Sequence, residues 1–197
     1  FSAFLQEGDH EIVVKFVETT GGAFSHVWWQ YVGSECDYSH GNYTDAEWMA
    51  IDTQAPQLCN RDGTTEIALG GVCAYQSLAD DDYVTALLPP GWSFPFYGGH
   101  KRDRVRISTN GYLTFSGAHF SYGNTLPIPD IAAPNDMIAP YWTDLNPADA
   151  DADGGMFTYA TESHFVVLWK RIPLWGTDDV ATFEVIMGRD GAITFLY

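Results

Sequence analysis

The sequence predicts an all-β chain: an antiparallel β-sandwich, with a loop-rich, disulfide-tied connector and an N-terminal β-hairpin. Three observations carry this. From Asp82 to the end, short runs alternate apolar and polar residues, the period of a half-buried strand. Gly, Pro and Asn turns separate these runs, and Asn110-Gly111 and Asp190-Gly191 each stand between two of them. Aromatic residues recur at the strand ends.

The chain divides into three stretches. In residues 1–32, Ile12, Val14 and Phe16 share one face of a run, and a Thr19-Thr20-Gly21-Gly22 turn follows. A second run then passes through Phe24, Val27, Trp28 and Trp29, so the segment reads as a hairpin. Two strands alone are marginal in water, so the hairpin needs a partner. Residues 33–81 are a connector rich in Asp, Gly, Asn, Gln and Cys. It is expected to hold a helical turn or two at Asp45–Ile51, capped by Thr44, and a strand near Glu66–Leu69. Residues 82–197 are the sandwich. There Asn110-Gly111 is expected to form a two-residue type I′ turn, and Arg189-Asp190-Gly191-Ala192 to do the same between Phe183–Met187 and Ile193–Tyr197. The Pro-rich Leu126–Pro134 segment is no central strand, because proline cannot donate to a ladder, and is expected to cross between sheets.

The last stretch resembles a known family. Phe94-Pro95-Phe96-Tyr97-Gly98 precedes Ile107-Ser108-Thr109-Asn110-Gly111-Tyr112-Leu113-Thr114-Phe115. Then come Pro134-Asn135, Ile138-Ala139-Pro140-Tyr141-Trp142-Thr143-Asp144-Leu145, Phe165-Val166-Val167-Leu168-Trp169 and Thr182-Phe183-Glu184-Val185-Ile186, closing with Asp190-Gly191-Ala192-Ile193-Thr194-Phe195. In this order the segments look like the nidogen-type extracellular (NIDO) domain, over about half the chain. The resemblance implies an extracellular β-sandwich of the kind found in adhesive and matrix-like proteins, with no shared ligand. At the other end, Gln6-Glu7-Gly8-Asp9-His10-Glu11-Ile12-Val13-Val14-Lys15-Phe16, Gly21-Gly22-Ala23 and Trp28-Trp29 look like the last two strands of a PA14 domain. PA14 domains are β-sandwich modules, some of which bind glycans through Ca²⁺. The motifs said to carry that binding lie upstream of such a tail, so no site is implied here. The chain starts at Phe1 without Met and stops at Tyr197 inside a strand-like run, so it is expected to be part of a longer polypeptide.

Lys and Arg number 9 against 26 Asp and Glu, a formal charge of −17. That field repels phosphate backbones and disfavours nucleic-acid binding. The same acidity would suit divalent cations or simply confer solubility. No apolar run approaches the roughly 20 residues of a spanning helix, so no membrane insertion is expected of this segment.

Cys36, Cys59 and Cys73 fit neither CxxC nor the usual zinc spacings. In a secreted protein one pair would staple the connector. Cys36–Cys59 and Cys59–Cys73 both remain open, and three reduced thiols would be the cytosolic alternative. Asn42-Tyr43-Thr44 is an N-glycosylation sequon on an expected loop. Asp149, Asp151 and Asp153, followed by Gly154, have the alternate-carboxylate spacing that opens a calcium loop. The twelfth position is Ala160 and no flanking helix is expected, which rejects an EF-hand. A different calcium loop, joined by Asp144 and Asn146, competes with a solvated acidic turn. No motif requires a cofactor, and calcium is the one ion the sequence could accommodate.

Trp92, Tyr97, Tyr122 and Trp175 stand beside Gly, Pro or Asn at expected loop or strand-end positions, where flat rings could stack on sugars or anchor a partner. Most such rings serve packing instead. The six histidines show no HExxH spacing, Ser108 is in no G-x-S-x-G elbow, and Gly21-Gly22 and Gly70-Gly71 lack the Lys of a phosphate loop. No enzyme is therefore expected. The expectation is a non-catalytic structural or adhesive module of a larger secreted or cell-surface protein, meeting other extracellular proteins or copies of itself through loops and edge strands. A carbohydrate-binding accessory region of a secreted hydrolase, with glycans as partners, is the alternative.

Overall fold

The computed structural model describes residues 49, 51–96, 102–117, 119–123 and 132–197, and the backbone alone at 12–14, 100 and 101. Cys36, Asn42, Tyr97, the second run of the N-terminal hairpin and most of the Pro-rich crossing lie outside the described residues.

Thirteen strands and one short 3₁₀ turn appear among the described residues, with no α-helix. The first three strands are β1 (Ile12–Val14), β2 (Gln57–Leu58) and β3 (Val72–Tyr75). β4 (Tyr83–Leu87), β5 (Phe94–Phe96), β6 (His100–Arg102) and β7 (Arg104–Ser108) follow. β8 (Leu113–Thr114) and β9 (Met137–Ile138) precede the 3₁₀ turn Pro147–Asp149. The chain ends with β10 (Gly155–Ala160), β11 (His164–Pro173), β12 (Val180–Gly188) and β13 (Ile193–Leu196). A large sheet runs β1-β13-β12-β11-β10-β3-β2 and a smaller one β4-β7-β8-β9, with β5-β6 as a separate ribbon. Pairing is antiparallel except at the ends of the large sheet, where β1 lies parallel to β13 and β2 parallel to β3.

The two large faces pack into one core, as the alternation predicts. From the large sheet come Cys73, Tyr75, Met156, Phe165, Val167, Trp169, Phe183, Val185 and Met187; the smaller sheet adds Val84, Ala86, Val105, Ile107, Leu113 and Ile138. Trp169 is fully buried, stacks on Phe183 at 4.7 Å, and donates its indole N–H to the Ser108 carbonyl at 3.0 Å across the sandwich. The ring is thus large apolar filler whose one polar atom is satisfied.

The connector departs from expectation. Among its described residues the strands are β2 and β3, and Glu66–Leu69 is not one: Ile67 plugs the core from a loop, and Gly70, at φ +78°, turns the chain into β3. Cys59 and Cys73 form the disulfide, with Cα atoms 5.3 Å apart. That settles the pairing left open by spacing.

Both glycine turns also differ. At each, only the glycine has positive φ (Gly111 +75°, Gly191 +99°), whereas a type I′ turn needs it at two residues. Register places three residues in each loop: Ser108 N–H donates to the Tyr112 carbonyl at 2.8 Å, and Gly188 N–H to the Ala192 carbonyl at 2.8 Å. The third, left-handed residue is the glycine. Strand edges are blunted as well. The outer edge of β4 is closed by Thr85 N–H donating to the Arg61 carbonyl at 2.7 Å, and β9 has two residues.

Candidate functional site

The three-residue loop Thr109–Gly111 organises one end of the sandwich. Thr109 and Asn110 are fully buried. Thr109 N–H donates to the Asp82 carbonyl at 3.0 Å, its hydroxyl donates to the Asp80 carbonyl at 2.6 Å and accepts from Asp82 N–H at 2.9 Å. The Asn110 amide donates to the Asp81 carboxylate at 2.8 Å, while its oxygen accepts Leu145 N–H at 2.9 Å. Two segments distant in sequence, 79–83 and 141–145, are thereby fixed to one turn. Gly111 closes the arrangement, donating space to Tyr141: a Cβ there would run into the Tyr141 carbonyl oxygen.

This convergence gathers carboxylates. Ligand oxygens of Asp80, Asp81 and Asp144 all lie within 4.8 Å of one another. Burial, then the charges of Asp81, Asp144 and Asp149, push the Asp80 carboxyl above its ordinary value; burial and then Asp81 do the same to Asp144. One Asp80 oxygen is inaccessible to water and has no hydrogen-bond partner. Asp82, by contrast, is neutralised by Arg61 and accepts Ala79 and Tyr83 N–H groups. Among the described residues, the Asp80, Asp81 and Asp144 carboxylates are the ones close enough together to ligate one cation.

The stretch Asp149–Asp153 is built differently. Asp149 ends the 3₁₀ turn and accepts the Asn146 amide at 2.8 Å. Asp151 pairs with Arg171 at 2.6 Å, which holds its carboxyl below the usual range, and also accepts Asp153 N–H at 3.1 Å. All three are exposed. Asp144 and Asn146 do not extend that loop into a shell: Asp144 joins the other cluster, and the Asn146 oxygen caps the 3₁₀ turn at Ala148 N–H.

Aromatic residues lie on the segments that meet there. Tyr141 and Trp142 precede Asp144 on one segment, and Trp175 N–H donates to the Asp144 carbonyl at 3.0 Å. Segment 119–123 is tied across the outside of the smaller sheet by Tyr112 hydroxyl donating to the His119 carbonyl, and Trp142 indole N–H to the Ser121 carbonyl, both at 3.1 Å. Phe120 meets Tyr83 edge-on at 5.4 Å. Phe120, Tyr122 and Trp175 remain more than half exposed. Tyr122 and Trp175 were expected on the surface; Trp92 was too, but lies buried at 6% under the Arg189 guanidinium, 5.9 Å from its ring centre. Its Pro-Pro-Gly context marks a turn, yet that turn points the indole inward.

Sequence pattern alone does not mark Phe120, Tyr141, Asp80 or Asp81. The one local signal is three consecutive acids at Asp80–Asp82, directly before β4; their meeting with Asp144 is set by the fold alone. Among the described residues no helix is long and apolar enough to cross a membrane.

The family described as NIDO related matches residues 59–197, more than half of the chain. Nothing supports the PA14-like resemblance of residues 1–32. No curated protein and no solved structure matches the chain. The nidogen-type order of segments from the Phe94 strand to the closing hairpin thus agrees with the matched span, and the chain belongs to the NIDO-related family.

Proposed function

We propose that this chain is a non-catalytic structural or adhesive module of a larger secreted or cell-surface protein, contributing to a fibre, appendage or matrix through contacts with other extracellular proteins or copies of itself. Its family is typically extracellular, and a disulfide suits an oxidising compartment. The observation that carries the reading is the exposure of Phe120 and Tyr122 on a segment pinned by the Tyr112 and Trp142 side chains, and of Trp175, whose N–H is bonded to the Asp144 carbonyl. Rigid exposed rings lose little entropy on docking and are typical anchors of protein interfaces. Edge-strand addition is less favoured than these rings, because β4 is closed by Arg61.

Sedimentation over a range of concentrations tests this. The expected result is mass that grows with concentration and falls back to monomer in Phe120→Ala/Tyr122→Ala, with unfolding unchanged. A chain that stays monomeric and binds no extracellular protein overturns the reading. Peptide mapping without reduction tests the location, which predicts a glycan on Asn42.

A second reading, carbohydrate binding, is favoured by Trp175, which is exposed and whose backbone N–H is bonded to the Asp144 carbonyl. An aromatic platform next to carboxylates that accept sugar hydroxyls is a workable glycan site. Glycan-array binding lost on Trp175→Ala would select it.

A further inference from the structure

The outer face of the large sheet carries one transverse row of side chains, in register across five strands: Ala74, Phe157, Leu168, Glu184 and Leu196. All five are buried, and Glu184 is the one polar member. The cover is the connector. Ile51 packs on Ala74, Phe157 and Leu168; Lys170 Nζ donates to the Thr53 hydroxyl at 2.9 Å; and Met49 N–H donates to Glu184 Oε1 at 2.9 Å. The strap therefore crosses the strands from β12 towards β3, where β2 and the Cys59–Cys73 bridge anchor it. Glu184 Oε2 is buried without a hydrogen-bond partner.

We propose that Glu184 is a proton-controlled latch for this strap: Met49 and residues 51–53 lie on the sheet while the carboxyl is protonated and lift from it, hinging at the disulfide, when it ionises. A carboxylate with one orphaned oxygen under an apolar cover is costly, whereas the neutral acid is far less so. Lifting the strap returns the carboxylate to water. Burial raises this carboxyl to about 7, opposed by the Met49 N–H. The charged groups nearest in the register are Lys170 on β11, occupied by Thr53, and Asp52 on the strap, exposed and accepting Gln54 N–H; the neighbours on β12 and β13, Thr182, Ile186, Thr194 and Leu196, do not titrate.

The docked acid titrates higher than the free one, so docking is strongest below the ordinary glutamate range and weakens as pH rises to about 7. Amide exchange at Met49, whose N–H is bonded to Glu184 Oε1, corrected for intrinsic base catalysis, reads this directly, alongside a carbon-13 titration of Glu184. Protection is expected to fall about tenfold between pH 6 and 8 in the native chain. It should stay level in Glu184→Gln, which keeps the acceptor for Met49 but cannot ionise. Lys170→Met removes the other pin and should lower protection equally at every pH. Glu184 titrating near 4.5 in the folded chain, or the same fall in Glu184→Gln, overturns the latch. The native titration decides alone should the glutamine variant not fold.

Discussion

The Asn110 amide donates to the Asp81 carboxylate at 2.8 Å from a site with no solvent exposure. The same side chain accepts Leu145 N–H, so one residue joins the segment before β4 to the segment before the 3₁₀ turn. Asn110→Ala strips a partner from a buried backbone donor and from a carboxylate at once. A loss of about 2–3 kcal/mol is expected in urea unfolding. Asn110→Asp should cost more, since it places a further negative charge against Asp81.

The carboxylates themselves oppose the fold. Asp80 and Asp144 have folded values raised above the unfolded one, so the folded chain binds more protons. Stability from these groups is greatest below the unfolded value of 3.8 and declines as pH rises through the raised folded values. Asp144→Asn should therefore raise the melting temperature at pH 7 in EDTA and flatten its pH dependence. The gain should be about 0.5 kcal/mol, as for other close like-charge pairs.

The Cys59–Cys73 bridge spans a sequence separation of 14 and ties the strap's end to β3. Loop-closure entropy assigns such a loop about 3 kcal/mol. Cys59→Ala/Cys73→Ala should lose that amount in urea unfolding, and reductant should shift the native chain but not the double variant. Mapping without reduction should recover the 59 and 73 peptides joined.

Local pattern made the sandwich readable where a strand has one wet and one dry face. Phe165, Val167 and Trp169 alternate with residues of the other face, and Phe183, Val185 and Met187 do likewise. The same pattern concealed Glu184, which alternates like a solvent-facing residue and gives no sign that a strap covers it. Spacing also failed at Asn110-Gly111. That dipeptide favours a two-residue turn locally, but the buried Asn110 amide serves two distant segments, and the loop takes a third residue to place it there. The Asp149–Asp153 spacing resembles a calcium loop, while Arg171, 20 residues away, takes the Asp151 carboxylate. In each case the deciding partner lies far along the chain.

Gly111 tests whether the Tyr141–Leu145 segment truly depends on that turn. Its φ of +75° disfavours any side chain, and a Cβ would strike the Tyr141 carbonyl, which is backbone and cannot step aside. Gly176 has a similar φ of +71° but no atom within 4 Å of its would-be Cβ. Gly176→Ala therefore isolates the conformational cost, about 1–2 kcal/mol. Gly111→Ala adds displacement of Tyr141 and, through it, strain on the Thr143 and Leu145 bonds to Asn110. A loss above about 4 kcal/mol is expected, with mobile Trp142 and Trp175 fluorescence even where the variant folds. Equal losses at the two glycines would mean that the turn does not hold the segment carrying Asp144.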